Sequence, residues 1–119
     1  REAAWTWEHM ALARARVLAG SPAARAQLDA ILAEVIRAPR DAATLRTAVV
    51  EMRERMAQHK QPGGALDAKL LRGGLVDCEF IVQFLQLRGL DANGAPLAHS
   101  QPAALDPDLS VAITALVEA

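Results

Sequence analysis

Residues 75–88 read L-V-D-C-E-F-I-V-Q-F-L-Q-L-R, and on a helix Leu75, Val76, Phe80, Ile81, Phe84, Leu85 and Leu87 leave almost no polar side. A helix of that kind is stable only at the centre of a bundle, so it dictates what the rest of the chain must do. Gly89 ends it, in the position where glycine takes the left-handed turn that closes helices. Its beginning is less ordinary. A double glycine, Gly73-Gly74, leads into it from a stretch that carries Lys69. Glycine there costs backbone entropy unless close approach or positive φ requires it. A helix N-terminus presents unpaired N–H groups and a partial positive charge, so with Lys69 nearby this entrance is a candidate phosphate site.

The other segments read as helical support. Residues 3–19 are expected to form a first helix, with Trp5, His9, Leu12 and Arg16 on one face and Trp7, Met10, Arg14 and Val17 beside it, until Gly20 ends it. Ser21 offers an N-cap with Pro22 at the first position of a second helix. Leu28, Ile31, Leu32, Val35 and Ile36 are its expected buried stripe, and Pro39 stops it. Asp41 caps a third, with Leu45, Val49, Met52 and Met56 inward and Arg46, Glu51, Arg53, Glu54 and Arg55 toward water. Residues 58–64 read as a loop, 66–71 as an undecided short segment and 90–101 as a longer exposed connection. Asp106 and Pro107 are placed to cap a last helix with Leu109, Ile113, Leu116 and Val117 apolar. The expected fold is an all-α bundle of about five helices in a single domain, residues 1–119. Alanine-rich composition with 3% aromatic residues favours the same class. Because the chain begins at Arg1 and stops within a helical pattern at Ala119, it is expected to be a fragment of a larger multidomain protein.

Charge and cysteine content exclude several functions. Thirteen basic and fourteen acidic residues leave a net charge of −1, which argues against nucleic acid as a partner. The single cysteine, Cys78, rules out an internal disulfide and fits a reducing compartment. No apolar run approaches the ~20 residues needed to span a bilayer, and no signal peptide opens the chain. A cytoplasmic location without membrane contact is expected. His9, His59 and His99 show no metal-ligand spacing, so no metal site is expected; Cys78 reads as a small core filler, and Trp5 and Trp7 as packing anchors.

Two acids on the central helix each have two readings. Glu79, Gln83 and Gln86 form a polar stripe at i, i+4, i+7, and a carboxylate buried there needs a partner. Arg14 and Arg16 of the first helix are the candidates for a structural ion pair with Glu79. Asp77 lies in the first turn, where the helix dipole and free N–H groups stabilise an acid. Alternatively, Asp77 and Glu79 face a magnesium-nucleotide, since Mg²⁺ takes one or two carboxylates plus phosphate oxygens. The Gly-Gly turn lacks the spacing of a Walker loop or a dinucleotide fingerprint. Asp106-Pro107-Asp108 is an Asp-x-Asp, but the proline inside it fits a helix cap better than a strand-borne metal site. No catalytic residue is therefore expected in the chain.

Three motifs in order, W-T-W-E-H-M-A-L-A-R-A-R-V-L-A-G (residues 5–20), E-M-R-E-R-M (51–56) and D-A-K followed by G-G-L-V-D-C-E-F-I-V-Q (67–83), resemble glutamine synthetase adenylyltransferase, in the helical region that follows a nucleotidyltransferase domain. Departures at Met10, Ala13, Ala68 and Cys78 are of packing scale. The V-D before C-E-F resembles the adenylylating half of that enzyme more than the half that removes AMP by phosphorolysis. The resemblance implies a partner domain that holds ATP and Mg²⁺ on an Asp-x-Asp site, with a tyrosine of glutamine synthetase as acceptor. It implies that Lys69, Gly73, Gly74, Asp77 and Glu79 wall the nucleotide, and that the fragment alone is inactive. An interaction module that docks glutamine synthetase or the PII signal protein is the alternative, as is the helical domain of a PII uridylyltransferase, against which W-T-W-E-H argues.

Overall fold

In a computed structural model of the chain, the described residues are 6–91, 93–97 and 109–118. They form five helices and no strand: α1 (Thr6–Leu12), α2 (Pro22–Arg37), α3 (Ala42–His59), α4 (Leu75–Arg88) and α5 (Leu109–Glu118). The expected all-α bundle is the fold observed. None of these helices is long and apolar enough to cross a membrane.

α4 is the hub, packed against each of the other four helices. Val76, Phe80 and Leu87 join Met10 of α1, Ile36 of α2 and Leu45 and Val49 of α3 in the main core, with Met52, Met56, Leu70 and Phe84 against it. Val82, on another side of the same helix, packs on Ala112 of α5, so two separate cores share one rod. Gly89 closes α4 with φ of 63°, and the Leu90 N–H bonds the Leu85 carbonyl at 3.0 Å while the Gly89 N–H bonds that of Gln86 at 3.1 Å. Both hydrogen bonds of a Schellman closure are present. α3 and α4 run antiparallel: Arg53 meets Asp77 at one end, and Arg88 donates to the Arg40 carbonyl at 3.0 Å at the other.

The caps stand where the sequence places them. The Ser21 hydroxyl accepts from the Ala24 N–H at 3.2 Å, and the Asp41 carboxylate accepts from the Thr44 N–H at 2.8 Å. That last bond, with a second from the Thr44 side chain, holds the exposed Asp41 carboxyl below its ordinary range. At the end of α2, Pro39 stops the helix, and the Arg40 guanidinium binds the freed carbonyls of Val35, Ile36 and Ala38. A basic group there complements the negative end of the helix dipole.

Three local expectations are corrected. The first helix ends at Leu12 instead of running to residue 19; Arg14 and Ala15 make short i→i+3 bonds and the chain then opens. Propensity alone favours continuation, but Leu18 is 75% exposed, and a helix without a face to bury is marginal in water. Trp7 is 52% exposed, so Met10 and Ala13, not Trp7, anchor this segment; Trp5 lies outside the described residues. On α2 only Ile36 is buried, and Leu28 and Ile31 are exposed.

Among the described residues just after α4, the chain is more tightly held than expected. Asp91 is buried and accepts from the N–H groups of Asn93 and Ala95, both at 2.8 Å, beside the Leu90–Pro96 bridge. On α5, Ala112 rather than Ile113 is the buried contact; the Asp106-Pro107 cap, His99 and the side chains of Leu109 and Leu116 fall outside the described residues.

Candidate functional site

The segment leading into α4 is pinned by two aspartates. Asp67 accepts from the Gly63 N–H at 2.9 Å and from those of Lys69 and Leu70 at 3.0 Å each, so the loop folds around one carboxylate. These donors, the Gly63 N–H foremost, hold its carboxyl below the ordinary range. Asp77, one turn inside α4, reaches back to the Gly73 N–H at 2.6 Å, in the manner of a capping box. Its other oxygen accepts from the Arg53 Nε of α3, and the same guanidinium donates to the Leu70 carbonyl at 3.3 Å. Burial pushes the Asp77 carboxyl up, but the bonds from Arg53 and Gly73 and the charges of Arg53 and Arg72 outweigh it, leaving the group below its ordinary value.

The double glycine has a local cause. The carbonyls of Ala68 and Lys69 accept from the N–H groups of Leu75 and Val76 at 2.9 and 3.1 Å, and the Leu71 carbonyl accepts from Gly74 at 2.9 Å. Three carbonyls therefore crowd one Cα. A Cβ on Gly74 would sit 2.6 Å from the Ala68 oxygen, 2.8 Å from that of Leu71 and 3.0 Å from that of Lys69. Gly73 has open space around it, but its φ of 78° lies in the left-handed region. The close approach that the glycines permit is thus that of the chain's own backbone. The N–H groups of residues 73–76 are all engaged by the chain's own carbonyls and the Asp77 carboxylate, so the row of free donors expected at a phosphate-binding helix mouth is not there.

The other candidates divide in two. Glu79 pairs with Arg14 at 3.0 Å on a half-exposed rim, while Arg16 is exposed and takes no part in that pair. The buried members of the polar stripe are instead Gln83 and Gln86, and no buried side-chain nitrogen or oxygen among the described residues lacks a partner. Substituting Glu79→Gln or Arg14→Ala is expected to change stability by less than about 1 kcal/mol in denaturant titration, as for other exposed pairs. A loss above twice that would tie the pair to the core. Lys69 and Arg72 carry exposed cations on the pinned loop. Among the described residues no group of three or more His, Cys, Asp or Glu side chains is placed to hold a metal, and Cys78 is a half-buried free thiol.

Its charge predicts that Arg53 faces water, yet it lies four residues after Val49 on the buried face, with its side chain only 18% exposed. That spacing was the available signal; its charge masked it. Arg53 also lines a groove of about 910 Å³ between α3, the loop and α4, floored by Val49, Phe80 and Phe84.

No protein-family model matches the chain. Curated relatives do. It is 44% identical over 103 residues to the bifunctional glutamine synthetase adenylyltransferase/adenylyl-removing enzyme of Rhodopseudomonas palustris strain BisB5, over 87% of this chain and 10% of that protein. The enzyme of the same name from strain HaA2 is 50% identical over 84 residues, 71% of this chain and 8% of the relative. That of Agrobacterium fabrum strain C58 is 46% identical over 89 residues, 75% and 9% respectively. The chain spans about a tenth of the length of the curated relatives it matches.

Proposed function

We propose that this chain, homologous over most of its length to one segment of the bifunctional glutamine synthetase adenylyltransferase/adenylyl-removing enzymes, is a helical wall of the nucleotide site in an enzyme of that kind. In this reading the whole enzyme moves AMP from ATP, held with magnesium by a neighbouring nucleotidyltransferase domain, to a tyrosine of glutamine synthetase. The other half removes it by phosphorolysis. The V-D-C-E-F stretch of residues 76–80 favours the adenylylating half.

The part played by this chain is electrostatic and positional. Asp67 and Asp77 lock the backbone on either side of Lys69, so its exposed ammonium group rides on a rigid loop. A pre-positioned cation binds a polyphosphate without further ordering of the backbone. That pinned loop is the observation that carries the reading. It replaces the open helix mouth as the source of anion affinity, and it leaves Asp77 and Glu79 as holders of arginines.

In the full-length enzyme, Lys69→Ala is expected to raise KM for ATP about tenfold, the equivalent of one charge-assisted hydrogen bond. The kcat should stay within about twofold, since the group binds ground and transition states alike. Steady-state kinetics beside an unfolding titration check this. An unchanged KM would remove Lys69 from the site, and a fall in stability would make it structural. The 119-residue chain by itself is expected to transfer no AMP.

A further inference from the structure

The groove between α3 and α4 shares Arg53, Gly73 and Asp77 with the pinned loop, but its apolar lining has no part in the proposed role of Lys69. Val50 is 48% exposed and Ile81 60% exposed, lining the same slot from the two helices, and Phe84 lines it with them. Large aliphatic side chains gathered on one concave surface mark a contact site rather than ordinary surface. Cations stand at both ends. Arg46 lies near the start of α3, and Lys60 and Arg72 lie where α3 ends and α4 begins, all three on the groove lining. Of the acids on its walls, Asp77 is already neutralised by Arg53, which leaves Glu54 against three cations.

The dimensions narrow the choice of occupant. From Arg46 to Lys60 along α3 is about 21 Å at the helical rise, roughly four turns. One small anion cannot bridge cations that far apart, whereas a helix of that length meets both ends at once. Two antiparallel helices with an apolar seam between them take a third helix by its i, i+3, i+4, i+7 face.

We infer that this groove is a docking site for an acidic amphipathic helix of about fourteen residues from a partner protein, apolar face on Val50, Ile81 and Phe84 and carboxylates toward Arg46, Lys60 and Arg72. Opposite charges at the rim steer encounter and set orientation, and the apolar seam supplies the affinity. The inference stands independently of the role given to Lys69, which does not line the groove.

The test uses the 119-residue chain, a synthetic fourteen-residue helix of leucine and glutamate in amphipathic register, and the same peptide with lysine for every glutamate. Methyl NMR follows Val50 and Ile81. The acidic peptide is expected to shift both methyls and to bind at least tenfold tighter than the basic one at low salt, a difference that shrinks at high salt. Arg46→Gln combined with Lys60→Gln should cut that preference at least threefold while the unfolding midpoint stays put, and Ile81→Asp should abolish binding. Equal binding of both peptides would overturn the inference. So would ATP shifting these methyls when neither peptide does, or a concentration-dependent self-association that covers them.

Discussion

Gly74→Ala is expected to destabilise the chain by about 3 kcal/mol, because the new methyl group meets three backbone oxygens that cannot retreat without giving up their hydrogen bonds. The Ala68 and Lys69 carbonyls are the caps of α4, and the Leu71 carbonyl holds Gly74 itself. Relief of the clash therefore means loss of the caps on the helix that all the others pack against. Gly73→Ala is the internal control. It meets no atom within 4 Å, so only the left-handed backbone is penalised, by about 1–2 kcal/mol. Urea titrations of both variants give the comparison. Equal and small losses would show that carbonyl crowding is not why a glycine stands at 74, and a loss of ATP affinity in the full-length enzyme without loss of stability would return the pair to the nucleotide.

Breaking the Arg53–Asp77 pair from one side is expected to cost about 2–3 kcal/mol, below the 3–5 typical of a fully buried pair because both side chains keep some access to water. Arg53→Met leaves the Asp77 carboxylate with the Gly73 N–H alone and also frees the Leu70 carbonyl. Asp77→Asn leaves the guanidinium without its anion. A double-mutant cycle should show the two substitutions coupled, with the pair of changes milder than their sum. The pH dependence has a fixed sign. Asp77 has a folded pKa below its ordinary 3.8, so the pair contributes its full stability above that value and loses it as pH falls further. Asp41 and Asp67 are depressed too, so the diagnostic quantity is a difference. The stability gap between the parent chain and Asp77→Asn should be constant near neutrality and close as pH drops below about 4. A gap that does not close in acid would mean that Asp77 acts through its shape and not its charge.

These two variants test the same physical unit. The loop before α4 is held by Asp67 at its start, Asp77 at its end and Arg53 from the neighbouring helix. Under the proposed role, its rigidity is what would make an exposed cation at Lys69 useful to a bound anion, so stability measurements on Gly74 and Arg53 bear on that proposal even though neither residue is offered as a ligand. Variants that loosen the loop without removing Lys69 should weaken ATP binding in the full-length enzyme in proportion to their effect on the fold.

Local rules were enough to place α2, α3 and α4 and their caps at Ser21, Asp41 and Gly89, since a side chain that binds a nearby N–H, or a glycine that turns left, depends on neighbours a few residues away. The all-round apolar character of residues 75–88 was likewise sufficient to make that helix the hub. Beyond that reach, local rules failed in a consistent direction. Alanine-rich residues 13–19 are good helix formers, yet the helix stops at Leu12, because only packing against a partner makes a short helix persist and Leu18 has none. Arg53 looked like surface until α4 brought Asp77 to it, and the glycine pair looked like a phosphate cradle until the loop's own carbonyls filled it. Charge, propensity and glycine state what a residue is able to do. Which of those capacities is used depends on what the folded chain sets against it, and that is a property of three dimensions.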